Sequence, residues 1–330
     1  MPVEWNDISK NANGGTELMM RRLETLPSEL LEKFQIIPSR VSTLDDTKIR
    51  IYWCHDLPYD PASEHLLKDG WKKFHKIVFV SHWQRQAYIN RYNIPFSKTI
   101  VMQNAIEPIT KEFSSTIPEK INIIYHTTPH RGLDILYTVF NNLVMKDEFK
   151  DKLHLDVYSS FKIYGWEERD KDFNVLYDKI REHDHMTYHG SVSNDEVRNA
   201  LTKSHVFAYP SIWPETSCIA LMEAISAGLF CVHPDFAALP ETASNWTSMY
   251  SWDEDKKSHA STFYSMLEDT CKFLLNTSPI EYKTRLQAQK SYVDLFYSWE
   301  LRQSQWKNFL ESLQNESPII KEEVVFEYRT

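Results

Sequence analysis

The chain has 330 residues, of which 42% are hydrophobic and 25% charged, and its formal net charge is −9. This composition is typical of a soluble globular protein, and the length suits two domains better than a single core. The acidic balance argues against a protein that coats nucleic acid, because phosphate binding requires clustered lysine and arginine.

The cysteines and the apolar runs indicate the compartment. The four cysteines are far apart, without a C-x-x-C pair or a secretory leader, so neither a disulfide framework nor a zinc site is expected and a cytoplasmic location is predicted. No apolar run reaches the roughly 18 residues that span a bilayer. Membrane contact is therefore expected to be peripheral at most.

Short apolar runs, rich in β-branched and aromatic residues, recur along the chain between polar or amphipathic stretches. Near-continuous apolar runs are typical of parallel strands covered on both faces. We therefore predict strands at residues 34–39, 48–56, 75–81, 98–105, 121–127, 153–160, 186–191, 205–211 and 229–235.

Helix starts fit between these runs. Ser81 with Gln84, and Ser193 with Glu196, have the spacing of capping boxes directly after a strand. Alternating strands and helices predict an α/β fold with two doubly wound parallel-sheet domains.

The predicted domains are separated by the polar, proline-containing stretch at 107–120. We assign residues 1–115 to the first domain and 116–292 to the second, with a helix at about 293–315 returning to the first and a tail at 316–330. Residues 282–313 have the apolar spacing of one or two amphipathic helices. The opening "MPVEW" is a poor first strand, so this strand is either very short or missing.

The stretch "HVFAYPSIWPETSCIALMEAISAG" (205–228) carries the most chemical information. A buried strand ends near Pro210, and a helix is predicted from Thr216 or Ser217 to a C′ cap at Gly228. This helix would start at the carboxyl edge of the sheet, where open α/β folds bind ligands. Backbone N–H groups at such a start, with the helix dipole, suit a phosphate group.

Two glutamates flank this predicted helix start. Glu215 lies in the loop just before it, and Glu223 lies eight residues later. Acceptor-only carboxylates bind vicinal hydroxyls well. Taken alone, Glu215 is better explained as a complement to the helix dipole and Glu223 as a solvated helix residue, but the loop and helix around them favour binding.

These residues resemble the E-x7-E signature of retaining GT-B glycosyltransferases, family 4-like (glycosyl transferases group 1). The resemblance extends through "HPDFAALPET" (233–242), "YHGSVSNDEV" (188–197), "HRGLD" (130–134), "VFVSHWQRQAYINRY" (78–92) and "NGGTE" (13–17), and thus over nearly the full chain. It implies a GT-B fold: two Rossmann-like domains that face a central cleft, with the last helix crossing back to the first domain.

The resemblance also implies roles for single residues. Glu223 would bind the ribose hydroxyls of a nucleotide sugar, and Glu215 would face the donor sugar. Backbone N–H groups at Thr216, Ser217, Cys218 and Ile219 would hold the diphosphate.

Arg131 stands where the family has the lysine of a K-G pair, and a guanidinium can grip phosphate through two bonds. Its alternative reading is a surface residue at a helix start. Where the family often has another arginine, this chain has Thr127 and Thr128. One phosphate contact is therefore either lost or replaced by hydroxyls.

Three further candidates lie in the first domain. Gly14 and Gly15 would allow close approach of the backbone to the donor, or would form a plain turn. His55 resembles the family's histidine that faces the sugar, although a histidine at a strand end can equally be structural.

No metal site or cofactor is expected. The D-x-D pattern at 170–172 lies in a charge run and is predicted to be solvated, and the pattern at 253–255 follows only a weak apolar run. Neither a dinucleotide-binding glycine motif nor a P-loop occurs.

The sequence thus predicts a metal-independent glycosyltransferase that uses a UDP- or GDP-linked sugar and retains the anomeric configuration. The acceptor, whether glycan, lipid-linked or protein, is not specified. Two alternatives stay open: a GT-B epimerase or phosphorylase, and an inactive module that binds the nucleotide sugar.

Overall fold

The computed structural model of the chain describes residues 14–320. Contacts divide this part into two units, one formed by residues 16–103 and 302–320 and the other by residues 14–15 and 104–301. The sequence predicted that the first domain ends at residue 115 and that the chain returns to it near residue 293. In the structure the chain leaves the first unit after residue 103 and returns at residue 302. The expectations for a first strand at "MPVEW" and for the last ten residues of the tail lie outside the described residues.

The first unit contains a parallel sheet of four strands in the order β1-β2-β3-β4. Its strands are β1 (Phe34–Ile37), β2 (Ile49–Cys54), β3 (Lys76–Phe79) and β4 (Thr99–Val101). Every residue of β1 and β2 is buried, as their near-continuous apolar sequence predicted.

The second unit contains a parallel sheet of six strands. Its strands are β5 (Ile121–Tyr125), β6 (Leu153–Val157), β7 (Met186–Tyr188), β8 (Val206–Ala208), β9 (Phe230–Pro234) and β10 (Ser248–Tyr250). The order across the sheet is β10-β9-β8-β5-β6-β7. The two parallel sheets confirm the predicted α/β class, while β10, a run of only three residues, was not predicted.

Helical segments connect successive strands within each sheet except β1 and β2, which are joined by residues 38–48 without a helix. The α-helices are α1 (Gly15–Leu23), α2 (Ser28–Leu31), α3 (His82–Tyr92), α4 (Leu133–Val144), α5 (Asn174–Arg181), α6 (Asn194–Lys203), α7 (Ile219–Ser226), α8 (Leu239–Ala243), α9 (Lys256–Asn276), α10 (Pro279–Phe296) and α11 (Trp299–Leu313). Among residues 14–320, no helix combines the length and apolar character required to span a membrane.

The two predicted capping boxes form to different extents. At α6, Ser193 and Glu196 bond to each other's backbone N–H, as predicted. At α3, Ser81 accepts from the Gln84 N–H at 3.0 Å, but the Gln84 amide oxygen accepts from Val80 instead of Ser81. Gln84 is fully buried and its amide nitrogen donates to a loop carbonyl, so the side chain turns inward.

The amphipathic pattern at 282–313 corresponds to α10 and α11. Most of α11 belongs to the first unit, since the contacts change over between Leu301 and Arg302. Its Trp306 packs edge-on against Trp53 of β2, with ring centroids 4.9 Å apart. Just beyond α11, the carbonyl of Ser317 accepts a hydrogen bond from His75 Nε2 at 2.9 Å.

The strand order of the second sheet reverses between β5 and β8. From β5 the chain runs through β6 to β7, then returns to the other side of β5 to form β8. The loops that leave the carboxyl ends of β5 and β8 therefore start side by side. Open parallel sheets bind ligands at such a reversal.

Candidate functional site

The loops that follow β5 and β8 approach each other closely at the reversal. The β5 loop ends at Gly132, whose φ of 115° is in the left-handed region. A Cβ atom added to Gly132 would lie 2.1 Å from the backbone oxygen of Pro210 in the β8 loop. Glycine is therefore required here, both for the backbone conformation and for the close approach.

This approach brings together two predicted site residues, Arg131 and Glu215. Arg131 Nη1 lies 2.5 Å from Glu215 Oε1, and the two side chains are 18% and 6% exposed. The hydroxyl of Tyr209 donates to the same carboxylate oxygen. Arg131 Nη2 donates to the hydroxyl of Tyr164 at 3.3 Å.

Electrostatics hold the Arg131 guanidinium in its charged form. Burial is the largest single influence and would lower the pKa of Arg131, but the charge of Glu215, acting with Tyr164, Tyr209 and Cys218, raises this pKa well above its ordinary value. Arg131 Nε is buried and has no hydrogen-bond partner within residues 14–320. The guanidinium therefore keeps donor capacity beyond its bonds to Glu215 and Tyr164.

The helix after the β8 loop starts later than predicted. We expected α7 to start at Thr216 or Ser217, but it starts at Ile219, because Cys218 has non-helical backbone angles (φ −104°, ψ 91°). Thr216 and Ser217 are therefore loop residues. The predicted end is close to the observed one: α7 ends at Ser226, and Gly228 has a φ of 67°.

Glu223, the second predicted carboxylate, lies on α7 and is held from a neighbouring helix. Arg198 of α6 donates from Nη1 to Glu223 Oε1 at 2.9 Å. Both side chains are mostly buried, at 22% and 18% exposure. The second unit therefore contains two such arginine–glutamate pairs; the sequence singled out Arg131 and Glu215 of the first, but only Glu223 of the second.

Comparison with known proteins identifies the family. Residues 110–285, more than half of the chain, match the family model described as "Glycosyl transferases group 1". The chain belongs to this family.

Individual relatives are distant. The chain is 23% identical over 243 residues to the phosphatidylinositol N-acetylglucosaminyltransferase gpi3 subunit of Schizosaccharomyces pombe, an alignment that covers 71% of this chain and 48% of that protein. The chain spans between 33% and 48% of the length of the curated relatives that it matches.

Solved structures share the fold. A glycosyltransferase from Rickettsia africae ESF-5 has a TM-score of 0.66 at 15% identity, covering 94% of this chain and 85% of that one. The pneumococcal O-GlcNAc transferase GtfA, solved in complex with UDP and GlcNAc, has a TM-score of 0.60 at 12% identity, covering 85% and 57%. These similarities support the GT-B form of the α/β fold.

Thr127 and Thr128, four and three residues before Arg131 in sequence, are both buried. Thr127 is 7% exposed and Thr128 is 1% exposed. Neither hydroxyl has a hydrogen-bond partner within the described part of the chain, and the same holds for buried Ser159 after β6. Unpaired buried hydroxyls are costly, so these positions retain capacity to bond a ligand.

The glycine pair lies at the start of α1. Gly14 is buried, and Gly15 is the first helical residue. A Cβ atom at Gly15 would lie 3.1 Å from Cδ1 of Ile219, the first residue of α7. Two residues predicted to bind the donor are therefore close together, and the space at Gly15 is tight.

His55 follows β2 in the first unit. Its ring lies 4.5 Å from the Trp53 ring, and burial lowers the pKa of His55 to about 3. The imidazole is therefore neutral at neutral pH. Burial also raises the pKa of the neighbouring Asp56 to about 6, against a lowering hydrogen bond from Ser39.

The sequence did not identify several polar residues of the site. Tyr209 was noted only as the end of a strand, and Tyr164 and Arg198 carried no motif signal. The expectation that the pattern at 170–172 is solvated was wrong for Asp170, which accepts hydrogen bonds from Ser160, Phe161 and Tyr177. Asp170 fixes the loop that carries Tyr164.

Proposed function

We propose that this chain is a glycosyltransferase that transfers a sugar from a nucleoside diphosphate sugar with retention, without a metal ion or cofactor. The observation that carries the proposal is the buried Arg131 beside Glu215, at the strand-order reversal of the second sheet. Family membership supports the reaction class, and the E-x7-E spacing supports retention.

The leaving group explains the need for a buried cation. When the bond from the anomeric carbon to the diphosphate oxygen breaks, negative charge accumulates on that oxygen. A cation fixed in advance stabilises this charge more than the ground state, which lowers the barrier. Arg131 is fixed by Glu215 and Tyr164 and keeps an unbonded Nε.

The remaining roles are those that the resemblance to the family implies. Glu223 would accept the ribose hydroxyls, while Glu215 would orient Arg131 as well as face the donor sugar. In a front-face reaction, the acceptor oxygen bonds to the anomeric carbon on the side that the diphosphate leaves. The departing phosphate oxygen takes the acceptor's proton, so no enzymic base is required.

Relatives suggest the first substrates to test. The fission yeast relative is named for N-acetylglucosamine transfer to phosphatidylinositol, and the pneumococcal structure contains UDP and GlcNAc. We therefore propose UDP-N-acetylglucosamine as the first donor and phosphatidylinositol as the first acceptor to test. Because the yeast relative is named a subunit, we also propose that this chain has protein partners.

The test is release of UDP from UDP-N-acetylglucosamine, with and without acceptor, by wild-type chain and by Arg131→Ala and Glu223→Ala variants. Removal of one preorganised charge donor typically lowers turnover about 10²–10³-fold, which is the loss expected for Arg131→Ala. The matched control is Arg181→Ala, which removes an exposed ion pair of the same 2.5 Å length with Asp178.

Other outcomes separate the alternatives. Turnover at the wild-type rate in Arg131→Ala would overturn the proposal. Loss of activity in EDTA would overturn the metal-free mechanism. An inverted product anomer, read by NMR, would overturn retention. Formation of an epimerised sugar without acceptor would indicate an epimerase. A requirement for free phosphate would indicate a phosphorylase, and tight binding without turnover would indicate an inactive module.

A further inference from the structure

Arg198 joins three parts of the second unit through one guanidinium. Its Nη1 donates to Glu223 Oε1 on α7 at 2.9 Å. Its Nη2 donates to the backbone oxygens of Glu107 and Pro108, at 2.8 and 3.2 Å. The planar guanidinium fork thus aims one nitrogen at the carboxylate while the other is held by the backbone.

The backbone that holds Arg198 is itself anchored. The next residue, Ile109, donates from its N–H to Ser226 Oγ at 2.9 Å, at the end of α7. Lys290 of α10 donates to the backbone oxygens of Ile109 and Ser226. The carbonyls that receive Nη2 therefore belong to a segment fixed to the same helix that carries Glu223.

This arrangement restricts the orientation of Glu223. A glutamate side chain on a helix samples several rotamers, and holding one orientation costs conformational entropy. A charge-assisted bond from a guanidinium that is itself fixed favours a single orientation before any ligand binds. An ionised carboxylate has about four acceptor positions, so the bond to Arg198 does not exhaust its capacity.

We infer that Arg198 is a positioning residue that orients Glu223 toward the ribose hydroxyls of the donor and thereby sets the preference for a ribonucleotide. The inference rests on the proposed role of Glu223. Arg198 acts through Glu223 and not on the reacting atoms. Its loss should therefore weaken recognition of the ribose while contacts to the base and diphosphate persist.

The test compares two probes by calorimetry: UDP and 2′,3′-dideoxy-UDP, which lacks both ribose hydroxyls. For the wild-type chain we expect the dideoxy probe to bind about tenfold more weakly or worse, because a site built for hydroxyls leaves polar groups unpaired without them. In Arg198→Gln, UDP binding should weaken by about tenfold while dideoxy-UDP binding stays unchanged. The ratio of the two Kd values should therefore fall toward one.

Further variants distinguish positioning from general support of the fold. Arg198→Lys keeps the charge but not the two-pronged geometry, so the ratio of the two Kd values should also fall in this variant. Arg198→Lys replaces Arg198→Gln in the test if Arg198→Gln does not melt cooperatively. Glu223→Gln should lower the ratio alone, and adding Arg198→Gln should change it little further, since both act on one interaction. Arg181→Gln, at an exposed ion pair, should retain the wild-type ratio.

Failure of this inference differs from failure of the proposed function. An Arg198→Gln or Arg198→Lys variant that weakens both probes equally, or retains the wild-type ratio, would show that Arg198 does not position Glu223. Failure of the wild-type chain to bind UDP, or GDP in a parallel series, would overturn both proposals. UDP binding without discrimination by the wild-type chain would overturn the role of Glu223 and the inference, but not diphosphate recognition by Arg131.

Discussion

The carboxyl edges of the two sheets treat buried ionisable groups differently. At the second sheet, Arg131 and Glu215 form a buried ion pair, with Nη1 and Oε1 2.5 Å apart. At the first sheet, burial drives His55 and Asp56 toward their neutral forms, with pKa values of about 3 and about 6. The second edge contains a buried cation that is paired with a carboxylate. The first edge contains an imidazole and a carboxyl group whose burial is not offset by a paired opposite charge.

The difference agrees with the expectations from sequence: a diphosphate beside Arg131 at the second edge and a sugar beside His55 at the first. A diphosphate requires a fixed positive charge. Pairing with Glu215 offsets the desolvation cost of burying the Arg131 guanidinium. A neutral sugar requires hydrogen bonds without a strong field, which a neutral imidazole supplies. The following changes test this contrast, from the largest expected effect to the smallest.

The geometry of the second edge depends most on Gly132. In Gly132→Ala, the new Cβ would meet the Pro210 oxygen at 2.1 Å at a φ of 115°. Overpacking and the left-handed backbone together should destabilise the second unit by about 4 kcal/mol. Gly165→Ala is the control, because Gly165 has a φ of 74° but nothing within 4 Å of its added Cβ.

The measurement is the free energy of unfolding of the second unit, obtained for both alanine variants by urea unfolding. The control should lose about 1 kcal/mol, from backbone strain alone. Equal losses in the two variants would mean that the close approach of the β5 and β8 loops is not required.

The paired charges at this edge provide the next test. Arg131→Met leaves Glu215 buried without its cation, which typically costs about 3–5 kcal/mol. The double variant Arg131→Met with Glu215→Gln should recover part of this loss, because no uncompensated charge remains. An exposed pair behaves differently: Arg181→Met should change stability by less than about 1 kcal/mol.

The decisive quantity is the coupling between the two changes in a double-mutant cycle measured by denaturant unfolding. A double variant that is less stable than Arg131→Met would contradict charge compensation. It would indicate instead that each side chain contributes through independent packing.

The sheets were largely predictable from sequence, because strands buried on both faces must be almost continuously apolar. All nine predicted runs contain a strand, whereas β10 was missed because the sequence around Ser248–Tyr250 is only a weak apolar run. Helix ends were less predictable: the start of α7 depends on the backbone angles at Cys218, and no residue type there specifies them.

The site was predictable only where residues fall in a known spacing. The E-x7-E spacing brought Glu215 and Glu223 to notice, and the "HRG" stretch brought Arg131. Their partners Tyr209 and Arg198 are set by the packing of separate helices and strands, which leaves no local signal. Arg198 and Glu223 are 25 residues apart in sequence.

The smallest expected effect concerns Asp56 at the first edge. Unlike the changes above, which destabilise the protein, a substitution here is expected to stabilise it. Its pKa in the folded chain is about 6, above the ordinary 3.8, mainly because burial disfavours the charged form. The stability that the protonated group contributes is fully present below pH 3.8 and is lost as the pH rises through about 6. Asp56→Asn should therefore leave stability at pH 3.5 nearly unchanged and raise it by about 2 kcal/mol at pH 8.

Thermal melts at the two pH values test this sign. Asp69→Asn is the control, since Asp69 is 56% exposed and asparagine tolerates its left-handed backbone. The control should change little at either pH. A stabilisation by Asp56→Asn that is equal at both pH values would show that burial of charge is not the cause. The expected result means that the chain tolerates a destabilising carboxylate beside His55, as is common at functional sites, where local stability is often lower than the fold allows.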